Sequence, residues 1–378
     1  MDYDLSQEQQ MLKDAAHNFF LKECSGLFVR EMAEDARGYS PELWHKMADL
    51  GWMGLMFPEQ YGGSEGTFLD LTVLLGEMGY ACFPGPFFST VVLGGLTLLE
   101  AGSENQKKDL LPGIAGGEKI LTLAWTEKSG TYSPQGISAK AELHDGHYTL
   151  SGIKLFVADA HIADPLIWVG RTAAPQENEE GGVSLFLVDC TSPGIGVHML
   201  RTMAGDKQGE VSFDQVRVPE ENLLGGFNRG WPVLQKVLNQ AAVAKCAVMI
   251  GGAQRVLELV VPHVKERVQF GRPVGSFQAV QHHCANILTY TETVKLMTYQ
   301  AAWRISQGLP WEKEASLCKA WVSDSYRRLV ALAHQVMGGM GFMEEHDLQL
   351  YFKQAKAAEL AFGDGDFHRE IVAGQLGL

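Results

Sequence analysis

What most constrains this chain is that its hydrophobic period changes twice along 378 residues. Apolar residues recur at helical spacing over roughly the first 115 positions. They shift toward a period of two from about residue 119 and return to helical spacing after Gly225-Gly226. Side chains repeat about every 3.6 residues round a helix and every two along a strand, so a stretch patterned for one cannot bury its apolar side in the other. Strands gathered in the middle, with helices on either side, argue against alternating βαβ units. They predict an α+β chain with helical, β and helical parts in succession.

Local signals fill in that outline. Ser6-Gln7-Glu8-Gln9 has the pattern of an N-terminal capping box. Ser40-Pro41-Glu42 offers a cap followed by Pro at the first helical position, and the helix over Leu43–Leu50 should stop at Gly51. A Gly- and Pro-rich loop follows, then helices over Thr67–Gly79 and Phe87–Ala101. Strands are predicted at Ile120–Trp125, Ile137–Leu143, Tyr148–Val157, Leu166–Arg171, Val183–Val188 and Val211–Val218. His144-Asp145-Gly146-His147 forms a hairpin turn. Ala174–Gly182 reads as an acidic exposed loop. Trp231–Leu259 reads as a long helix, bent by Pro262 and running on to about Arg267. Gly271-Arg272-Pro273 breaks it, and Ser276 can cap a helix over Phe277–Gln307. Helices over Glu312–Met337 and Glu344–Phe362 complete an antiparallel bundle.

Composition removes several functions. With 31 basic against 45 acidic residues the net charge is −14, where a nucleic-acid binder needs a basic surface. Any anionic cofactor must therefore meet a local basic cluster or backbone N–H groups. No apolar run reaches the ~18 residues of a membrane span, and Met1-Asp2-Tyr3-Asp4 is acidic where a signal peptide is basic. Six scattered cysteines without C-x-x-C spacing fit reduced thiols in a cytoplasmic protein. Dinucleotide, P-loop, H-E-x-x-H and G-x-S-x-G motifs are absent. His282 and His283 are adjacent on a helix and cannot share an ion. Asp364, Asp366 and His368 have spacings a loop could fold round a cation, but matching ligands are missing elsewhere, so no metal is expected.

Three segments carry more. Over Arg267–Gln281 a cationic helix end turns sharply into the next helix, where exposed N–H groups and two arginines fit a phosphate. The same residues also fit an ordinary helix–turn–helix. Gln335-Val336-Met337-Gly338-Gly339-Met340-Gly341-Phe342 allows close backbone approach to a flat or anionic ligand, or is simply a helix C-cap. Trp125-Thr126-Glu127 and Phe156-Val157 end two strands, placing an aromatic and a hydroxyl where they flank a ring or pack a barrel core.

Taken together and in this order, these segments resemble the acyl-CoA dehydrogenase family of flavoproteins over essentially the whole chain. Arg267–Gln281 is similar to the family's R-x-x-F-G-x-P-[IV]-x-x-x-Q-x-x-Q stretch, and Gln335–Phe342 to its Q-x-x-G-G-x-G-[FY] signature. Leu50-Gly51-Trp52-Met53-Gly54 and Pro58-Glu59-Gln60-Tyr61-Gly62-Gly63 also match family segments. The resemblance implies a helical domain over 1–118, a β-barrel domain over 119–224 and a C-terminal four-helix bundle over 225–378. It implies an FAD held by Trp125, Thr126, Phe156, Val157, Arg267, Phe270, Gln335, Gly338, Gly339, Asp364 and Asp366. Acyl-CoA would contact Tyr132, Ser133, Phe362 and Gly363, and electrons would leave to an electron-transferring flavoprotein. The assembly would be a homo- or hetero-tetramer acting in fatty acid or carboxylic acid degradation.

The family's reaction removes the α proton of a thioester to a carboxylate, and an α C–H is a weak acid that needs a positioned base. That Glu usually lies 27 residues after the Gln of the glycine signature, which here is Phe362. The alternative position, on the long helix after the barrel, is Ala241, and the family's Arg beside it is Ala242. The family's G-S-D after T-E reads Thr131-Tyr132-Ser133, and its W-[IV]-[ST]-N reads Phe156-Val157-Ala158-Asp159. The ending Phe362-Gly363-Asp364-Gly365-Asp366 is similar to the smaller subunits of two-subunit acyl-CoA dehydrogenases. Two functions follow: a dehydrogenase with a relocated base, Asp364 first and Tyr132, Asp159 or Asp366 after it, or a partner subunit whose carboxylate comes from another chain. A structural protein without flavin is the third class.

Overall fold

The computed structural model describes residues 4–173 and 181–378; most of the acidic loop expected over Ala174–Gly182 lies outside the described residues. In chain order, α1 (Gln7–Glu23), α2 (Gly26–Glu34), α3 (Pro41–Asp49) and α4 (Phe68–Tyr80) come first. A π-helical stretch over Phe88–Gly95 then runs into α5 (Leu96–Ala101), followed by α6 (Glu104–Ala115). Next are β1 (Thr122–Ala124), β2 (Lys140–His144), β3 (His147–Ala158), β4 (Pro165–Arg171), β5 (Val183–Asp189), β6 (Ile195–Leu200), β7 (Gln208–Pro219) and β8 (Leu223–Leu224). Last come α7 (Gly230–Glu266), the short pair β9 (Val268–Gln269) and β10 (Arg272–Pro273), α8 (Gln278–Ser306), α9 (Glu312–Met337), α10 (Leu348–Leu360) and α11 (Gly365–Gln375). The chain divides into two compact units, residues 1–31, 67–83 and 239–378 in one, and 32–66 and 84–238 in the other.

In the second unit the sheet runs β6-β7-β3-β2-β4-β5-β8, with β1 beside β4. Its strands wrap one core in which Trp168 meets both Phe186 and Phe213, ring centroids 6.1 and 6.0 Å apart. The predicted hairpin turn is present: Asp145 and Gly146 both have positive φ, 48° and 76°, the type I′ geometry that suits an Asp-Gly pair. β2 begins at Lys140 rather than Ile137, because Pro134–Gly136 forms a 3₁₀ turn that carries the chain into the strand. β6 was not expected. It is an edge strand with no fully buried residue, so no face of it carries an alternating pattern to read.

In the first unit α9 packs against α8, α10 and α11, α8 against α4, and α4 against α1. α4 and α7 approach through glycines: a Cβ on Gly79 would sit 1.9 Å from the Val248 carbonyl oxygen, and one on Gly251 1.8 Å from that of Gly76. The Ser6 capping box forms, with Gln9 N donating to Ser6 Oγ and Ser6 N donating to Gln9 Oε1. In the second unit, Ser40 caps α3 with Pro41 at its start. Ser276 does not cap α8; its hydroxyl donates to the Pro273 carbonyl, and the helix starts after Phe277 without a side-chain cap. The last expected helix, over Glu344–Phe362, is shorter at both ends. A further helix, α11, which the sequence reading does not predict, follows and is started by Asp364.

Candidate active site

In the sheet unit, the pairing of β3 with β7 shifts register between Lys154 and Val157. This bulge turns Phe156 to φ +55° with its ring outward, 59% exposed, while Val157 returns to the core. Leu155 N donates to the Thr126 carbonyl at 2.9 Å, tying that strand to the Trp125-Thr126-Glu127 segment. Trp125 is buried, its ring 5.0 Å from that of Tyr132, and Thr126, Tyr132 and Ser133 are half-buried. An outward aromatic therefore stands beside an accessible hydroxyl, as a planar ring with polar edges requires. Asp159 is committed elsewhere: its carboxylate accepts from the Ser89 hydroxyl at 2.5 Å and its N–H donates to the Lys207 carbonyl.

Beneath this corner lies a buried ion pair. Lys154 is fully buried, and its ammonium donates to Glu127 Oε1 at 2.6 Å. Glu127 also accepts from Ser138 N at 2.9 Å, Ser138 Oγ at 2.5 Å and Ala139 N at 3.1 Å. Lys154 Nζ stands 5.3 Å from the Trp168 ring. Burial pushes the lysine down to about 8, with the Glu127 charge opposing. Burial drives Glu127 upward, but the Lys154 charge and the hydrogen bonds from Lys154 and Ser138 outweigh it and hold the carboxyl below its usual range.

In the helical unit, Arg267 closes α7: its N–H donates to the His263 carbonyl and its carbonyl accepts from Val274 N, both at 2.8 Å. Arg267 as a residue is exposed. Phe270 sits at φ +54° and is 91% exposed at the tip between β9 and β10, edge-on to Phe277 at 6.0 Å. Arg272 covers the Phe277 ring at 4.1 Å. Gln335 is exposed near the end of α9, and Gly338 ends that helix at φ 60°, ψ −140°, a conformation open to glycine. A Cβ on Gly338 or Gly339 would meet nothing within 4 Å, so this backbone faces open space. A flavin dinucleotide needs flat aromatic cover, polar ring partners and donors for a pyrophosphate. Within the sheet unit, Phe156 and Thr126 suit the first two needs; within the helical unit, taken by itself, the exposed Arg267 and the open glycine backbone are each of a kind that suits a pyrophosphate.

After α10 the chain makes a tight turn. Phe362 has φ +60° and Gly363 φ +92°. Asp364 caps α11, accepting from Phe367 N at 2.9 Å. Asp366 is exposed and pairs with Arg369 at 2.8 Å. His368 is buried, one ring nitrogen against the Phe362 carbonyl at 2.9 Å and the other against Ser316 Oγ at 3.2 Å. Burial lowers its pKa to about 4. Asp364, Asp366 and His368 thus face three different partners and do not converge as a cation loop would need. Ala241 and Ala242 are fully buried in α7.

Lys154, Lys319 and His368 were missed as buried polar groups. Lys154 continues the inward series Tyr148, Leu150, Gly152, so strict alternation would have found it, at the cost of turning Ile153 outward, where it is 51% exposed. Lys319 shares a helical stripe with Ala315, Val322 and Tyr326, all buried.

Acyl-CoA dehydrogenase family profiles match three stretches: the N-terminal domain over 6–118, the middle domain over 122–216 and the C-terminal domain over 228–377. A probable acyl-CoA dehydrogenase of Bacillus subtilis is 30% identical over 100% of both chains. Butyryl-CoA dehydrogenase from Megasphaera elsdenii superposes with a TM-score of 0.92 at 26% identity, covering 100% of each chain. A chain of the ChsE4-ChsE5 complex from Mycobacterium tuberculosis superposes at 0.90 with 25% identity, covering 100% of this chain and 99% of that one. The chain belongs to the acyl-CoA dehydrogenase family, whose members are oxidoreductases. No helix among the described residues is long and apolar enough to cross a membrane.

Proposed function

We propose that this protein is an FAD-dependent oxidoreductase of acyl-CoA thioesters, removing hydrogen from the α and β carbons and passing electrons to an electron-transferring flavoprotein. The observation that carries this reading is the bulge at Phe156, which spends a left-handed backbone position on exposing an aromatic ring beside Thr126. When bound, the flavin supplies the two-electron acceptor for the β hydride. Thr126 and Trp125 would border its polar edge, Phe156 and Val157 its face. Arg267, Phe270, Gln335, Gly338 and Gly339 would lie along its ADP half. Asp364 and Asp366 would stand at the cofactor end of α11. Tyr132, Ser133, Phe362 and Gly363 are the proposed thioester contacts. The working form is a cytoplasmic tetramer of family subunits, built on the domains 1–118, 119–224 and 225–378.

A second reading is favoured by the turn after α10. Phe362 stands where the family base is expected, Ala241 is apolar and buried, and Asp364 already caps α11. A chain so arranged suits the partner-subunit role, shaping the substrate site while a second family subunit supplies the carboxylate. The likeness to a chain of a two-component complex supports it.

One experiment tests both. The protein is purified alone and with a co-expressed family partner, its visible spectrum is recorded, and butyryl-, octanoyl- or palmitoyl-CoA is added anaerobically. A yellow protein that bleaches alone supports a self-sufficient dehydrogenase, and Asp364→Asn then asks whether that carboxylate is the base. Bleaching only in the two-chain complex supports the partner role. A colourless protein in both forms sinks both readings.

A further inference from the structure

Lys319 is 0% exposed on α9 and has no use in the reaction as proposed so far. Its ammonium, with three N–H donors, has four acceptor oxygens within reach: Ser323 Oγ at 2.9 Å, Ala358 O at 3.1 Å, Glu359 O at 2.9 Å and Gly363 O at 2.8 Å. Three of these are carbonyls. Two belong to the last turn of α10, where helical carbonyls lack intrahelical donors and the helix dipole favours a cation. The third lies across the turn, directly after Phe362. Lys319 thus bridges the end of α10 to the segment that leads into α11.

The opposite side of the same turn is held too. The Phe362 carbonyl meets the His368 ring at 2.9 Å, and burial keeps that imidazole neutral, so its ring N–H is the donor there. Between these two clamps sits a strained peptide: Phe362 at φ +60°, in the left-handed region that disfavours a non-glycine residue. Gly363 follows at φ +92°, where a Cβ would fall 2.3 Å from Phe367 Cδ1. Burying a lysine to bind carbonyls is expensive, since a desolvated cation normally requires a counter-charge. What it secures here is the conformation of one residue.

We infer that Lys319 is a positioning residue: it locks the Phe362–Gly363 turn and so fixes the Phe362 side chain in the proposed thioester site. The inference rests on the functional reading above for its link to turnover, while the lock itself stands on the geometry alone.

The test uses the full protein, with its partner subunit if flavin reduction requires one. Lys319→Met is compared with wild type and with Ser323→Ala, which removes one acceptor and leaves all three carbonyl contacts. Hydrogen exchange is followed at the Ala361, Phe367 and His368 amides, which are hydrogen-bonded within and just after this turn. Expected is at least a tenfold faster exchange at these amides in Lys319→Met, and none in Ser323→Ala. With butyryl-, octanoyl- or palmitoyl-CoA, the limiting rate of anaerobic flavin bleaching should fall by on the order of ten- to a hundred-fold. Flavin content and the half-saturating thioester concentration should hold, the split a general loss of folding would not give. Should Lys319→Met fail to fold, Lys319→Gln, which keeps two N–H donors without the charge, should show smaller changes of the same kind. Unchanged exchange at these amides overturns the lock. Faster exchange with unchanged bleaching overturns the positioning role. A wild type that never bleaches counts against the functional reading instead, and the exchange result still decides the lock.

Discussion

Lys154 in the sheet unit and Lys319 in the helical unit are both fully buried, and burial pushes both down to about 8. Their partners differ. Lys154 faces a carboxylate that three further donors hold in place; Lys319 faces a hydroxyl and three carbonyls. The first is a closed ion pair, in which each charge is the other's reason for being buried. The second is a cation spent on backbone, and the backbone it holds is a strained turn. The same residue type at the same depth therefore marks core integrity in one place and local conformation in the other.

The largest expected effect breaks the ion pair. Lys154→Met strands the Glu127 carboxylate in the core and should cost about 3–5 kcal/mol in urea unfolding. Lys154→Met combined with Glu127→Gln, which removes the stranded charge and keeps an acceptor for the Ser138 and Ala139 donors, should recover much of that loss. A single mutant no worse than the double would mean the pair is not coupled. Next, Lys319→Met should cost less, about 1–3 kcal/mol, because the unsatisfied carbonyls are partly offset by relief of an unpaired buried charge. An equal or larger cost than Lys154→Met would erase the distinction between the two sites.

A smaller effect appears with pH. A lysine near 8 when folded and near its ordinary ~10.4 when unfolded binds fewer protons in the native state across that window. Stability contributed by such a group rises with pH between those values and is flat below them. Wild type should therefore gain on Lys319→Met by on the order of 1 kcal/mol per pH unit above pH 8. On the acid side, His368 near 4 when folded makes the same sign: its share of stability is present above ~6.5 and drains away as pH falls toward 4. His368→Leu should blunt that acid loss in thermal melts. Smallest of all in stability is Phe156→Ala, within about 0.5 kcal/mol because the ring is exposed. Its mark should be functional, a drop in bound flavin absorbance.

Much of the architecture was legible because it rests on local rules. The two changes of period, the Ser6 and Ser40 caps and the Asp145-Gly146 turn depend on residues a few positions apart, and each appears where read. Ser276 was misread since a hydroxyl before a helix can also bond backward, as it does to Pro273. α11 is not legible in the sequence because an Asp at position 364 suits a ligand or a base as readily as the helix cap it proves to be. Phe156 was legible as a candidate but its outward aim was not, because a bulge is a property of two paired strands.

The sequence by itself determined the succession of helical, β and helical parts and the membership of the acyl-CoA dehydrogenase family, through spaced motifs and period. Only the tertiary structure decided what the buried charges do. Lys154 and Lys319 read alike in one dimension, each a lysine amid apolar neighbours. Their roles separate only when Glu127 is brought 2.6 Å from one and the end of α10 is folded over the other, contacts spanning 27 and up to 44 positions of chain. Periodicity reports which side of its own element a residue faces; it carries nothing about what the rest of the chain places there.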